Sequence, residues 1–457
     1  MTPELRKNPP APLAPIAFDI AQPSQDVLEN GLRVVVFENE RLPLVNFRLA
    51  FFAGDIHDPA EHHGLTSAMA TQLTEGTQAY TSLQLAEKVE RLGASISAHA
   101  SYDFTTVSAS SLSLYASEMI DLLAEVVLRP TFPEEELDLY RRNTVESLKF
   151  QRSQPPFLAA EQAARHIYGT HPYARVSPTA AEIEKLTRED LVRHHRRTLI
   201  PNNAILIVVG DIKRDELLSQ LNDKLEGWEQ GSLPSNEFDT PPTRYGRTLT
   251  IVDRAGSAQS NIVIANAGIK RLDPDFFPVL VMNQVLGAGA SSRVFMNIRE
   301  DKGYTYGAYT RVDSKRLAGD FEATAEVRNE VTGASLKEFF YELERIRNER
   351  ATDEEIADAK SFLTGVFPIR AETQEGLTNL LVNQQLYDLP EDYLQQYRAN
   401  VNAVTAEQIQ EAAQKHVQPD NAAIVIVGDA GEITEQVKDY ADTVEVFDTE
   451  GRQKPER

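Results

Sequence analysis

Residues 57–77, HDPAEHHGLTSAMATQLTEGT, hold three histidines and two glutamates within a few turns of chain. Imidazole and carboxylate are the side chains that hold a catalytic Zn²⁺. Two His one turn apart on a helix grip the ion, and a Glu beside them acts as base on the metal-bound water. The chain has no cysteine (Cys 0), which excludes disulfides and thiolate metal sites, so any metal must rest on His, Asp or Glu. Whether this segment can be such a site depends on the register in which it enters a helix, and the rest of the chain sets that register.

At 457 residues the chain is too long for one ordinary core, and two or more domains are expected. Hydrophobic residues make up 41% and charged residues 25%, as in ordinary globular proteins. No run approaches the ~20 apolar residues of a membrane span. The formal net charge of -23 argues against nucleic acid, whose phosphates require clustered Lys and Arg. It permits steering of cationic peptides or partners. The first twenty residues, MTPELRKNPPAPLAPIAFDI, lack the apolar stretch of a secretory signal. The absence of cysteine is compatible with both the bacterial periplasm and the cytoplasm.

An internal repeat organises the chain. LTREDLVRHHRRTLIPNNAILIVVGDI (186–212) aligns without a gap with VTAEQIQEAAQKHVQPDNAAIVIVGDA (404–430), an offset of 218 (404 − 186). Each copy reads as a Thr-capped helix (Thr187, Thr405), a proline-containing loop, and a buried strand ending at Gly210-Asp211 or Gly428-Asp429. Upstream, 132–150 and 351–367 match in charge and helical period. Each unit runs from strands through helices to a closing strand, with an alternating stretch at 95–112 in the first. The order predicts an α+β fold of two homologous domains, each an antiparallel-rich sheet with helices on one face. Residues 1–25 read as an N-terminal extension, 26–225 as the first domain, 226–246 as a Pro/Gly/Ser-rich linker, 247–445 as the second domain and 446–457 as a tail.

The duplicated unit, HGLTSAMATQLTEGT in its first copy and GAGASSRVFMNIREDKGYTYG in its second resemble the pitrilysin/insulinase-like zinc peptidases, above all their two-domain bacterial and mitochondrial-processing-peptidase-like members. The resemblance runs from about Asp26 to about Thr443. It implies a clam-shell assembly around a chamber. In active members an inverted motif, His-x-x-Glu-His, follows a Gly-Leu pair and precedes Gly-Thr. Here Gly64-Leu65 and Gly76-Thr77 fix the frame, and the motif positions fall on Ser67, Ala70 and Thr71. All three catalytic groups are absent. Glu146 lies in the region of the later glutamate ligand and reads as a solvated helix carboxylate. His57, Glu61, His62 and His63 precede the frame with one residue too many, and Asp58-Pro59 turns the chain, so they cannot share a helical face. No metal is expected on this chain.

What the resemblance retains lies in the second unit. Arg299 and, seven residues on, Tyr306 match the pair that reaches a substrate held at the zinc. Tyr donates to the scissile carbonyl or its oxyanion, and Arg holds substrate backbone. Tyr304, directly after Gly303, is a rival for the tyrosine role. Gly287 and Gly289, in GAGA (287–290), match a loop that can touch substrate; the loop lacks the Lys-Ser/Thr of a phosphate loop. His194 and His195, with Arg196 and Arg197, read as a solvated helix face. Half a site implies a partner: a homologous subunit that carries the zinc motif and the zinc, so that the pair cleaves peptides. The competing reading is a structural or peptide-binding protein that kept the fold without a catalytic role.

Overall fold

The two apolar runs marked by the repeat, 204–210 and 423–428, are buried at every residue and take the same place in two matching sheets. The computed structural model describes residues 18–454. The first sheet contains β1 (Ser24–Val27), β2 (Arg33–Glu38), β3 (Leu44–Phe51), β4 (Ser95–Ala100), β5 (Thr105–Leu112) and β6 (Ala204–Gly210). The second contains β7 (Thr248–Asp253), β8 (Gln259–Gly268), β9 (Ala308–Ser314), β10 (Gly319–Arg328), β11 (Ala423–Gly428) and β12 (Thr443–Phe447). Their orders, β1-β2-β6-β3-β5-β4 and β12-β7-β11-β8-β10-β9, superpose strand for strand apart from the first edge. β6 runs parallel to β2 and antiparallel to β3, as β11 does to β7 and β8. The alternating stretch 95–112 is a hairpin, β4 and β5.

The domain limits differ slightly from the sequence reading. β1 begins at Ser24, inside the expected extension, and β12 runs through Phe447 into the expected tail. The tail then folds back, Lys454 N–H donating to Val446 O at 2.7 Å. Of the extension, residues 1–17 lie outside the described residues, while Ile20 is buried in the core. Between the helix Arg214–Lys224 and β7 the chain has neither helix nor strand, yet Trp228 is buried there and its indole N–H donates to Leu199 O at 3.1 Å.

Each sheet carries its own unit's helices on one face. The other face is covered by a helix of the other unit, which periodicity gives no hint of. Leu158, Ala159, Ala163 and Ile167 of the helix Pro155–Tyr168 pack on Val263, Ala265, Val425 and Val427 of the second sheet. Reciprocally, Leu377 and Leu381 of the helix Gln374–Leu386 pack on Val35, Ala50, Ile205 and Val209 of the first. The two halves are interlocked by equivalent helices, so neither sheet buries both faces alone.

Polar contacts reinforce the joint. Tyr168 OH donates to Asp320 Oδ2 across it at 2.5 Å, and Tyr173 OH, which donates to Asp103 Oδ1 of its own unit at 2.5 Å, accepts from Leu317 N–H of the other at 3.3 Å. Lys315 Nζ donates across the joint to Tyr168 OH at 3.0 Å and, within its own unit, pairs with Asp320 at 2.7 Å and Asp313 at 2.8 Å. Burial, together with the neighbouring carboxylates, raises both phenol pKa values, so these hydroxyls stay protonated. Tyr173→Phe deprives buried Asp103 of its hydroxyl donor and should cost roughly 1–2 kcal/mol, read as a lower urea midpoint at unchanged slope.

Candidate functional site

Helix Leu65–Gln72 carries the three motif positions, and its entry explains the glycine before it. Gly64 sits at φ +88 with Pro178 packed at 3.0 Å from where a Cβ would lie. Asp58 caps this helix from outside: its carboxylate accepts from Gly64 N at 2.7 Å and from Thr66 N at 2.8 Å. Ser67 Oγ donates to both oxygens of Asp55, at 2.9 and 3.2 Å. Ala70 is 0% exposed, and Thr71 Oγ1 donates to Ser67 O of its own helix at 2.9 Å. Glu146 is exposed and paired with Lys149 at 2.6 Å. These groups do not fit zinc: two are committed hydroxyls, one is a methyl, and the carboxylate points to solvent.

The three histidines of the opening segment engage three different partners. His57 lies in a 3₁₀ turn; its Nδ1 accepts from Gly54 N–H at 3.3 Å and its Nε2–H donates to Asn236 Oδ1 at 3.2 Å. His62 lies 3.8 Å from Asp190. His63 is buried, 3.6 Å from Asp58, and neither ring nitrogen has a hydrogen-bond partner. Their ligand atoms do not converge.

His194 corrects the sequence reading. It is 2% exposed, not solvated. On helix Arg188–Thr198 it shares the buried stripe of Leu191 and Thr198, and the spacing 191/194/198 is the signal that reveals it. Its Nδ1 accepts from Arg197 at 3.2 Å, and its Nε2–H donates to Thr66 Oγ1 at 2.7 Å, which in turn donates to Asp58 at 2.6 Å. Burial first, helped by Arg197, lowers its pKa to about 4, so the ring is neutral and fully used. His195 donates Nε2–H to Val127 O at 2.7 Å.

Around the motif positions lies a pocket of about 490 Å³ lined by Asp55, His63, Ser67, Tyr102, Tyr140 and Thr144, among others. Burial, then Asp58, raises the pKa of Asp55 to about 7.

The second unit presents Arg299 and Tyr306 differently. Arg299 stands on a π-helical turn, Met296–Asp301, a rare arrangement found disproportionately at functional sites. Its guanidinium pairs with Glu300 and lies 5.2 Å from the Phe295 ring. Tyr306 is 94% exposed and lines an open pocket of about 550 Å³ with Tyr304, Glu326 and Arg328. Tyr304 is half-buried against the second core, its backbone N–H donating to Ile298 O at 3.1 Å. Gly287 is buried, and a Cβ there would meet Thr310 Oγ1 at 2.4 Å, so it serves the close approach of helix and strand. Gly289 lines a separate pocket with Glu354, Glu355 and Asp358. The pockets at Ser67 and Tyr306 share no lining residue.

Residues 33–176 match a family model described as Insulinase (Peptidase family M16), and residues 185–363 one described as Peptidase M16 inactive domain. The chain belongs to the M16 peptidase family. Within the family it is similar to a Helicobacter pylori protein named non-peptidase homolog YmxG, 24% identical over 405 residues, which cover 88% of this chain and 93% of the relative. A Bacillus subtilis relative named uncharacterized zinc protease YmxG is 22% identical over 87% of this chain and 96% of its own. The crystal structure of a peptidase M16 inactive domain from Pseudomonas fluorescens matches with TM-score 0.83 and 27% identity, over 89% of this chain and 98% of that one. A chain of complex III₂ from Candida albicans shares the fold at TM-score 0.74 and 15% identity, over 92% and 99%. The matches to an inactive-domain model and to a non-peptidase homolog support a pseudo-peptidase, and Ser67, Ala70 and Thr71, where the sequence frame expects the motif, offer no imidazole or carboxylate. No helix among the described residues is long and apolar enough to cross a membrane.

Proposed function

We propose that this chain is the zinc-less subunit of a heteromeric M16 endopeptidase, supplying Arg299 and Tyr306 in trans to a homologous subunit that carries His-x-x-Glu-His and the zinc. The exposure of Tyr306 carries the reading. A tyrosine kept for packing buries its ring, whereas this one is 94% exposed at the rim of an open pocket. Its hydroxyl is free to donate to charge developing on a substrate carbonyl, and Arg299 offers a multi-donor fork to peptide backbone. The substrates are peptides, and the net charge of -23 favours cationic ones. Tyr304, with its backbone tied to Ile298, is the poorer donor, and Gly289 is the glycine of its loop that is open to a substrate.

One observation favours the structural alternative. Arg299 already pairs with Glu300. Both side chains are about two-fifths exposed, and a pair of that kind holds its members weakly.

Mixing decides between the two. The purified chain should hold less than a tenth of an equivalent of zinc and cleave no peptide. Adding a homologous chain with the zinc motif should produce peptidase activity that neither shows alone. One tightly held zinc per chain, lost in the double variant His57→Ala/His62→Ala, would overturn the reading. A stable but inactive complex would favour the structural role.

A further inference from the structure

The pocket at the vacated motif helix is a built polar site that the proposed function does not use. We propose that it binds a primary ammonium group, from a peptide N-terminus or a lysine side chain, with the Asp55 carboxylate as counter-ion. This stands apart from the heteromeric reading, since it requires neither Arg299, Tyr306 nor a partner.

Three features of the pocket point to an ammonium. Asp55 is a largely buried carboxylate whose side chain receives donors from one residue, the hydroxyl and backbone N–H of Ser67. A carboxylate has room for about four donors, and leaving it short of them in a dry site is costly. His63 is 6% exposed and lines the same cavity; neither ring nitrogen has a hydrogen bond, Nδ1 lying 3.6 Å from Asp58, an arrangement that native interiors avoid unless a ligand or water completes it. The remaining walls offer hydroxyl oxygens from Ser101, Tyr102, Tyr140, Thr144 and Ser147. Burial raises the pKa of Tyr102 and Tyr140 to about 12, so both phenols are neutral.

An ammonium brings three donors and no acceptor, which matches a carboxylate, a ring nitrogen and hydroxyl oxygens. An anion would meet Asp55 and, behind it, Asp58. Arg175, the one Lys or Arg among the lining residues, is exposed, so water screens its repulsion of a cation at Asp55. The volume of about 490 Å³ lies within the ~300–1,000 Å³ usual for ligand sites and admits a chain end or one side chain.

The test uses the full chain and four versions of one alanine-rich octapeptide amide: N-terminus free or acetylated, and one internal residue lysine or norleucine. Titration calorimetry at low salt should detect binding only where an amine is present. The two singly blocked peptides distinguish the N-terminal from the lysine source. Asp55→Asn preserves shape and should weaken binding at least about tenfold. Glu146→Gln removes the same charge from a helix position outside the pocket and should change it less than twofold. Thr144→Leu fills the cavity without altering charge and should abolish binding even if Asp55→Asn folds poorly. Equal binding of the fully blocked peptide, equal behaviour of Asp55→Asn and Glu146→Gln, or no binding by any version would overturn the proposal.

Discussion

Replacing Tyr306 by phenylalanine should lower kcat of the assembled pair about 100-fold and leave KM and assembly unchanged. The substitution removes only a hydroxyl, from a ring that is 94% exposed, so nothing in the core is lost. If that hydroxyl donates to the oxyanion, its contribution appears only as charge develops, and the loss falls on kcat. Arg299→Ala should behave differently. On the proposed role its contacts to substrate backbone would form before the chemistry and persist through it, so KM should rise while kcat changes less. Glu300→Gln frees the guanidinium from its neighbour and should leave KM equal or lower. Steady-state kinetics of the reconstituted pair with each variant gives the answer. If Tyr306→Phe and Arg299→Ala both retain full kcat/KM while the partner's zinc motif remains essential, this chain only scaffolds the assembly.

How much of this was legible in the sequence depends on how far each feature reaches along the chain. The repeat was legible because a strand carries its burial in its own composition: Ala204–Gly210 and Ala423–Gly428 are apolar throughout and central in their sheets. The expectation that the zinc positions are lost needs only a local register, set by Gly64 and Gly76, and no distant contact. The exchange of helices was not. The apolar residues of Pro155–Tyr168 say that a face is buried, and nothing in them says that the sheet belongs to the other unit.

The pocket at Asp55 was equally hidden. It gathers Asp55 and Ser67, Tyr102, and Tyr140 and Thr144 from three separate stretches, and only the fold brings them together. His194 could have been found. Its helical spacing from Leu191 and Thr198 outweighs the polar run HHRR around it. Asp58 was read as a turn residue; its larger role, capping the motif helix across six and eight residues, depends on a loop geometry that no short-range rule predicts.

Asp55 and His194 also set opposing slopes in the dependence of stability on pH, and one substitution should separate them. Asp55 has its pKa raised from 3.8 to about 7 on folding, chiefly by burial. Between about pH 4 and 7 the folded chain keeps a proton that the unfolded chain has released, so this group lowers stability as pH rises through that window. His194 has its pKa lowered from 6.5 to about 4, again chiefly by burial. Between about pH 4 and 6.5 the unfolded chain holds a proton that the folded ring refuses, so this group raises stability as pH rises. At about 1.4 kcal/mol per pK unit, the full spans are roughly 4 and 3 kcal/mol. From pH 4 to 6.5 the two nearly cancel in the wild-type chain. Asp55→Asn removes the falling limb. The variant should match wild type near pH 4, where Asp55 is neutral, and exceed it by about 2–4 kcal/mol at pH 8. His194→Gln removes the rising limb and should show the opposite slope relative to wild type, whatever its overall cost. Urea unfolding at intervals from pH 4 to 8, taken as the difference between variant and wild type, cancels the other carboxylates. A difference for Asp55→Asn that does not grow with pH would mean that the carboxylate ionises without penalty, and that the pocket around it is wetter than its lining implies.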